Sequence, residues 1–243
     1  GKERILSHAH EIDVYLAQRG AMNHVNVRKI KEEPGFGAIK AVREGKIFII
    51  DEKIVSRPTM RLLDGIYEIG RFLYPSVFND VSSFLHKQRL TRAEFAEMFV
   101  KMMNIALKTP DYRRDIAKRS RAVHRYGDFK DVDYWGNNYK FIETAVYRGL
   151  FPNVKKDMFF PNRFVKRSTV AYALFMYFDF PEPTANITIS DVKASDPLFE
   201  QIRTVVDLGI MPVNSQGAFV PEGNLSGKEL YRILTKAKQV TGQ

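Results

Sequence analysis

Displaced along itself by 60 residues, the chain falls into register without a gap, and no other feature limits the fold so strongly. Asp131-Val132 meets Asp191-Val192, Ile142 meets Ile202, and Val146 meets Val206. Gly149 then meets Gly209, Phe159 meets Phe219, and Pro161 meets Pro221. Such different residue types seldom align in order by chance. Each copy reads as an Asp-Val turn, then an amphipathic helix over about 137–148 or 198–208. Gly149 or Gly209 follows, as expected for a left-handed C-terminal cap. An irregular loop closes on Phe159-Phe160-Pro161 or Phe219-Val220-Pro221, and a second helix starts near Lys166 or Ser226. The unit is a helix–loop–helix repeat.

An earlier stretch, Leu90-Thr91-Arg92-Ala93-Glu94-Phe95, aligns with the start of that second helix. Its counterparts are Val165-Lys166-Arg167-Ser168-Thr169-Val170 and Leu225-Ser226-Gly227-Lys228-Glu229-Leu230. Thr91-x-x-Glu94 and Ser226-x-x-Glu229 are capping boxes: the hydroxyl accepts the N3 amide, and the carboxylate reaches back to the cap. Phe95, Met98, Phe99 and Met102 then follow at helical spacing and predict one buried face. Arg92 and Arg167 fit less well, because a cation in the first turn opposes the helix dipole. Two readings stand for them: a pocket in which guanidinium and free helix N–H groups hold a carboxylate or phosphate, or plain solvated arginines.

The pattern Phe129-x-Asp131-Val132-x-x-Trp135, Ile142, Gly149-Leu150, Phe160-Pro161, Val165-x-Arg167 resembles an S-layer homology repeat. Thr91-Arg92-Ala93-Glu94 has the form of that family's signature, and the resemblance covers roughly residues 78–238. It implies an α+β chain whose main part is a helical, three-pronged body of three repeats with pseudo-threefold symmetry. The repeats would span 76–128, 129–187 and 188–243. It also implies an extracellular anchor at the cell wall, bound to an anionic, often pyruvylated, polysaccharide. The binding residues implied are Thr91, Arg92 and Glu94 in the first repeat, and Trp135, Gly149 and Arg167 in the second. In the third they are Gly209, Ser226, Lys228 and Glu229. The second repeat keeps the arginine but loses the capping pair; the third keeps the cap but has Gly227 in place of the arginine. Unequal grooves are therefore expected, the third weakest or silent. Trp135 reads more readily as core than as a stacking platform. The first repeat lacks its own first helix at normal spacing, and a helix beginning at Pro58 is expected to stand in for it.

Residues 1–75 have another texture. Ile12-Asp13-Val14-Tyr15-Leu16 reads as a buried strand, and 25–42 as a helical region broken at Pro34-Gly35. Lys46-Ile47-Phe48-Ile49-Ile50 reads as a second strand, with a helix opening after Ser56-Arg57-Pro58. Strand, helix, strand, helix predicts a parallel α/β unit. The words Phe36-Gly37-Ala38-Ile39-Lys40-Ala41-Val42-Arg43-Glu44-Gly45-Lys46-Ile47-Phe48-Ile49-Ile50-Asp51, then Ser56-Arg57-Pro58-Thr59-Met60-Arg61-Leu62, resemble the end of solute-binding proteins of iron–siderophore and cobalamin ABC importers. That implies a partial lobe of such a receptor, with an importer permease as a partner of the parent. It transfers no ligand residues, and Arg57 and Arg61 read as cap and surface residues. Gly1-Lys2-Glu3-Arg4 leads straight into a helix-like segment with no signal peptide, so the chain reads as an internal piece of a longer protein.

Composition narrows the classes. With 44% hydrophobic and 12% aromatic residues the chain can bury a core, and a net charge of +10 draws it toward something anionic. It has no cysteine, which excludes thiolate metal sites and a cysteine nucleophile. It also lacks an apolar run long enough to span a bilayer. His8-x-His10 has no further ligand at useful spacing, and no P-loop, nucleophile elbow or dinucleotide fingerprint occurs, so neither metal, cofactor nor enzymatic activity is expected. The basic run over 108–125, flanked by Tyr112 and Tyr126, could be a nucleic-acid patch. Polymer contact or simple solvation is the preferred reading. Capture of an iron chelate or corrinoid by the parent, and nucleic-acid binding, are the alternative functions.

Overall fold

The computed structural model describes residues 1–56, 62–108, 129–133, 136–154, 157–183 and 187–242. It divides into two compact units, Gly1–Asn79 and Asp80–Gln243. The chain is mixed, mainly helical with a small parallel sheet, as α+β implies.

In the first unit α1 (Lys2–Ser7) leads to strand β1 (Tyr15–Arg19), and α2 (Val27–Glu32) with α3 (Lys40–Arg43) crosses to β2 (Ile47–Asp51). The strands pair in parallel, Tyr15 opposite Ile47, as the element order predicts. β1 starts three residues later than expected, at Tyr15 instead of Ile12. The Ile12 carbonyl accepts the Ala41 amide, so that stretch is bonded to the crossover and not to the sheet. Its core joins Ala17 and Ile47 to Ile30, Phe36, Ile39 and Val42. Leu16 points outward, so β1 is not the fully buried strand its apolar run suggests.

Beyond α4 (Glu52–Val55), α5 (Leu62–Leu73) packs on α4, on β2 and on α6 (Pro75–Phe78). α5 inverts the usual pattern. It buries Gly65, Glu68 and Arg71 and exposes Leu63 and Ile66. Gly65 lies so close to α4 that a Cβ would come within 2.3 Å of the Ile54 carbonyl oxygen. The enclosed Arg71 donates from Nε to Asn79 Oδ1 (2.7 Å), and its Nη1 lies 3.6 Å from Glu68 Oε1.

The second unit is built from three pairs of helices, each pair consecutive in the sequence. These are α7 (Ser82–Leu85) and α8 (Arg92–Met102), α9 (Tyr139–Tyr147) and α10 (Arg167–Tyr177), and α11 (Phe199–Asp207) and α12 (Gly227–Thr241). α8 packs on α9, α10 on α11, and α12 on α7. Each repeat's second helix therefore seats the first helix of the next, and the order closes on itself. The short α7 packs on α12 as α9 packs on α8 and α11 on α10. Its shortness explains why spacing alone missed it.

Backbone hydrogen bonds follow the same closed order. Arg92 N donates to Arg163 O (2.8 Å), Arg167 N to Gly223 O (2.8 Å), and Gly227 N to Lys87 O (2.9 Å). These are orphan amides of helix first turns, satisfied by the loop of the next repeat. Leu90, Val165 and Leu225 sit buried just before the three helices, with Val165 N bonded to Leu90 O and Leu90 N to Leu225 O. Phe95, Met98 and Phe99 are fully buried as expected, whereas Met102 is only partly covered. Gly149 and Gly209 adopt φ of 72° and 64°. Leu150 N and Ile210 N each reach back to the carbonyl five residues earlier, the bond that marks a Schellman ending.

Candidate functional site

The loop of each complete repeat is held by the aspartate of its Asp-Val pair. Asp131 accepts the amides of Phe159 (2.9 Å) and Phe160 (2.6 Å), and Asp191 those of Phe219 (2.7 Å) and Val220 (2.7 Å). The second residue of each pair is left-handed, with φ of 58° at both Phe160 and Val220. For a β-branched valine this conformation is costly, on the order of 1–3 kcal/mol. It persists because one carboxylate takes both neighbouring amides. This pairing was missed when Asp-Val was read only as a turn, although the ungapped Asp-Val match is the signal that exposes it.

The loops so fixed receive the arginines. Arg92 donates from Nε to the Phe159 carbonyl (2.9 Å), and its guanidinium carbon lies 4.7 Å from the ring centres of both Phe151 and Phe159. Arg167 repeats this one unit on, with Nε to the Phe219 carbonyl (2.7 Å), Nη2 to the Pro212 carbonyl (3.1 Å) and the Phe219 ring at 4.8 Å. These stacks and carbonyl bonds offset the unfavourable helix-dipole position. Neither arginine is therefore a freely solvated one: both staple adjacent repeats. Burial pushes both guanidinium groups below their ordinary values. Arg163 adds to this at Arg92 against the pull of Asp131, while Glu229 and Asp191 oppose it at Arg167. Among the described residues neither arginine forms an ion pair with a carboxylate, and Arg167 also lines an open cleft.

A cleft of about 560 Å³ opens beside Arg167. Gly209, the loop around Met211 and Phe219, and the α12 residues Glu229, Arg232 and Lys236 form its walls. It thus brings together Arg167, Gly209 and Glu229, which the sequence singles out, and adds Arg232 and Lys236, which it does not. Those two cations escaped notice because helical spacing alone does not tell which groove a solvent face overlooks.

The capping residues are engaged internally. Thr91 Oγ1 accepts the Glu94 amide (3.3 Å), and Glu94 Oε2 accepts the Thr91 amide (2.9 Å), while Lys87 Nζ reaches Glu94 Oε1 (2.6 Å). Ser226 and Glu229 form the second box (3.3 and 2.9 Å), with the Ser226 hydroxyl also donating to Glu229 (2.7 Å). Burial raises the Glu94 carboxyl, but the Lys87 and Thr91 hydrogen bonds outweigh it and hold it below its ordinary value. The Glu229 carboxyl is likewise held down against burial by Ser226, Arg167 and Arg232. Lys166, at the cap of α10, makes no side-chain cap bond, as its residue type predicts. Gly149 is the left-handed end of α9, and Lys228 is exposed and does not line the cleft. Trp135, Arg57, Arg61 and nearly all of the basic run 108–125 lie outside the described residues.

Gly227 shows why the third helix start has no arginine. A Cβ there would lie 1.9 Å from the Phe84 carbonyl oxygen and 2.6 Å from its carbon. Because the first repeat's connecting segment is short, its backbone runs directly over α12, and no side chain fits.

The family model of the S-layer homology domain matches residues 128–171 and 188–230. Those stretches hold Asp131, Arg167, Asp191 and the α12 capping box, whereas Thr91–Glu94 falls outside both. No curated protein matches the chain. S-layer homology domains anchor proteins to the cell wall by binding its polysaccharides, so the match implies association with the cell surface. Among the described residues no helix is long and apolar enough to cross a membrane.

Proposed function

We propose that this chain is a non-catalytic, extracellular anchor that binds an anionic, pyruvylated wall polysaccharide. The observation that carries the reading is Arg167: fixed by two carbonyl bonds and a ring, it offers the rest of its fork to a cleft of sugar-sized volume. A ketal carboxylate accepting that fork forms charge-assisted bonds worth about 1.5–3 kcal/mol each, and the preset geometry lowers the ordering cost. Arg92 provides a second point between Phe151 and Phe159, and Gly227 leaves the third start without one. The closed order of helix contacts supports a pseudo-threefold body of three repeats, the first of them abbreviated.

Purified protein is expected to pellet with wall sacculi that keep their pyruvylated polymer and to stay in solution with stripped sacculi. Pelleting should weaken as salt rises. Arg167→Gln should weaken it by at least about ten-fold, one lost charge-assisted bond. A thermal melt would check that this variant is folded. Undiminished pelleting of folded Arg167→Gln, or equal pelleting with stripped sacculi, would overturn the assignment. A shift of DNA or RNA at physiological salt would favour the nucleic-acid alternative.

A second reading concerns residues 1–75. The parallel β1–β2 pair followed by α5 supports the likeness to the closing segment of an importer's solute-binding lobe, with an ABC permease as the parent's partner. A permease and ATPase encoded beside the full gene would support it, and an unrelated domain before Gly1 would remove it.

A further inference from the structure

We propose that the Arg167 cleft selects a polymer segment carrying two negative charges, with Arg232 and Lys236 receiving the second. This rests on the polysaccharide-binding reading and assigns the specificity of that same site. The cleft holds more cation than one carboxylate requires. Arg167 enters from the start of α10, and Arg232 and Lys236 line the facing side on α12. These two lie four residues apart, one helical turn or about 6 Å along the axis, so they present a charged edge on one face. Both are exposed, and among the described residues neither is held in an ion pair. Glu229, the acidic group in the lining, has Oε2 occupied by the Ser226 amide and hydroxyl and offsets only part of this charge.

The arrangement is particular to this cleft. Where α12 has Arg232 and Lys236, the corresponding positions of α10 hold Tyr172 and Met176, and those of α8 hold Glu97 and Lys101. Lys101 is itself 2.8 Å from Glu97. By the same alignment the helix that would face Arg92 is α10, whose Tyr172 and Met176 supply no second cationic edge. A ligand with one acidic group would satisfy Arg167 and leave Arg232 and Lys236 to water. A segment with two would engage both walls at once, and each added charge contact steepens the dependence on salt.

The probes are two synthetic disaccharides that differ only in bearing one or two pyruvate ketals, titrated calorimetrically into the intact chain at low salt and again at physiological salt. The doubly charged disaccharide is expected to bind about ten-fold tighter at low salt, with the gap narrowing as salt rises. The double variant Arg232→Gln/Lys236→Gln should bring the two affinities within about two-fold by weakening only the doubly charged probe. Both replaced side chains are exposed, and a circular-dichroism melt would confirm the fold. Equal affinities in the unaltered protein, or a preference surviving the double substitution, would overturn the two-charge inference while leaving the anchoring function standing. If neither probe binds, or if Arg167→Gln binds both unchanged, the site assignment itself fails and this inference with it.

Discussion

Asp191→Ala is expected to lower the stability of the second unit by about 2–4 kcal/mol, read as a shift of its denaturant midpoint at constant slope. The substitution strips a charged acceptor from two consecutive amides. The Phe219 amide belongs to a fully buried residue and finds no water, while the Val220 amide is nearer the surface. The larger part of the loss should come from Phe219. The same carboxylate also holds Val220 at φ 58°, so its removal frees the loop to relax and takes away the carbonyl that binds Arg167 Nε. Polymer binding should therefore fall with stability, although Asp191 does not line the cleft. Val220→Gly is the counterpart. It keeps both hydrogen bonds, removes the β-branched strain, and loses a side chain that is 43% exposed, so it should leave stability unchanged or raised. If Asp191→Ala unfolds at the unaltered midpoint, the aspartate does not hold the loop.

Gly227→Ala should destabilise by at least about 3 kcal/mol, the upper range for forcing atoms into a packed site. The obstacle is backbone: the Phe84 carbonyl occupies the space, and Gly227 N is tied to Lys87 O, so neither side can step back without breaking the contact that closes the repeat order. Gly227→Arg, which would copy Arg92 and Arg167 at the third helix start, should be worse. Gly149→Ala makes the comparison clean. Nothing lies within 4 Å of a Cβ there, and only the left-handed φ of 72° opposes it, a cost of about 1–2 kcal/mol. A melt in which Gly227→Ala loses no more than Gly149→Ala would disprove the close approach.

The parts legible in advance were those written in local chemistry. The capping boxes at Thr91 and Ser226, the left-handed endings at Gly149 and Gly209, and the buried Phe95–Phe99 face involve residues within a few positions of each other. The parallel pairing of the two strands followed from their order, but their edges did not. β1 was displaced because the Ile12 carbonyl bonds to Ala41 in the crossover, a contact no strand pattern encodes. Arg92 and Arg167 were recognised as anomalous in a helix first turn, yet the groups that accommodate them lie 67 and 52 residues away in sequence.

The sequence by itself determined the repeat, its period, the helix starts at Thr91 and Ser226, the helix stops at Gly149 and Gly209, and the positive charge. All of these depend on interactions a helical turn or a loop can satisfy alone. Only the tertiary structure decided that each second helix clasps the following repeat, that α7 closes the order, and that Gly227 leaves no room where an arginine would stand. It also decided that Arg232 and Lys236 face the cleft beside Arg167. The physical reason is that orphan amides and buried guanidinium groups must find acceptors somewhere, and which distant carbonyl supplies them depends on how the whole chain packs.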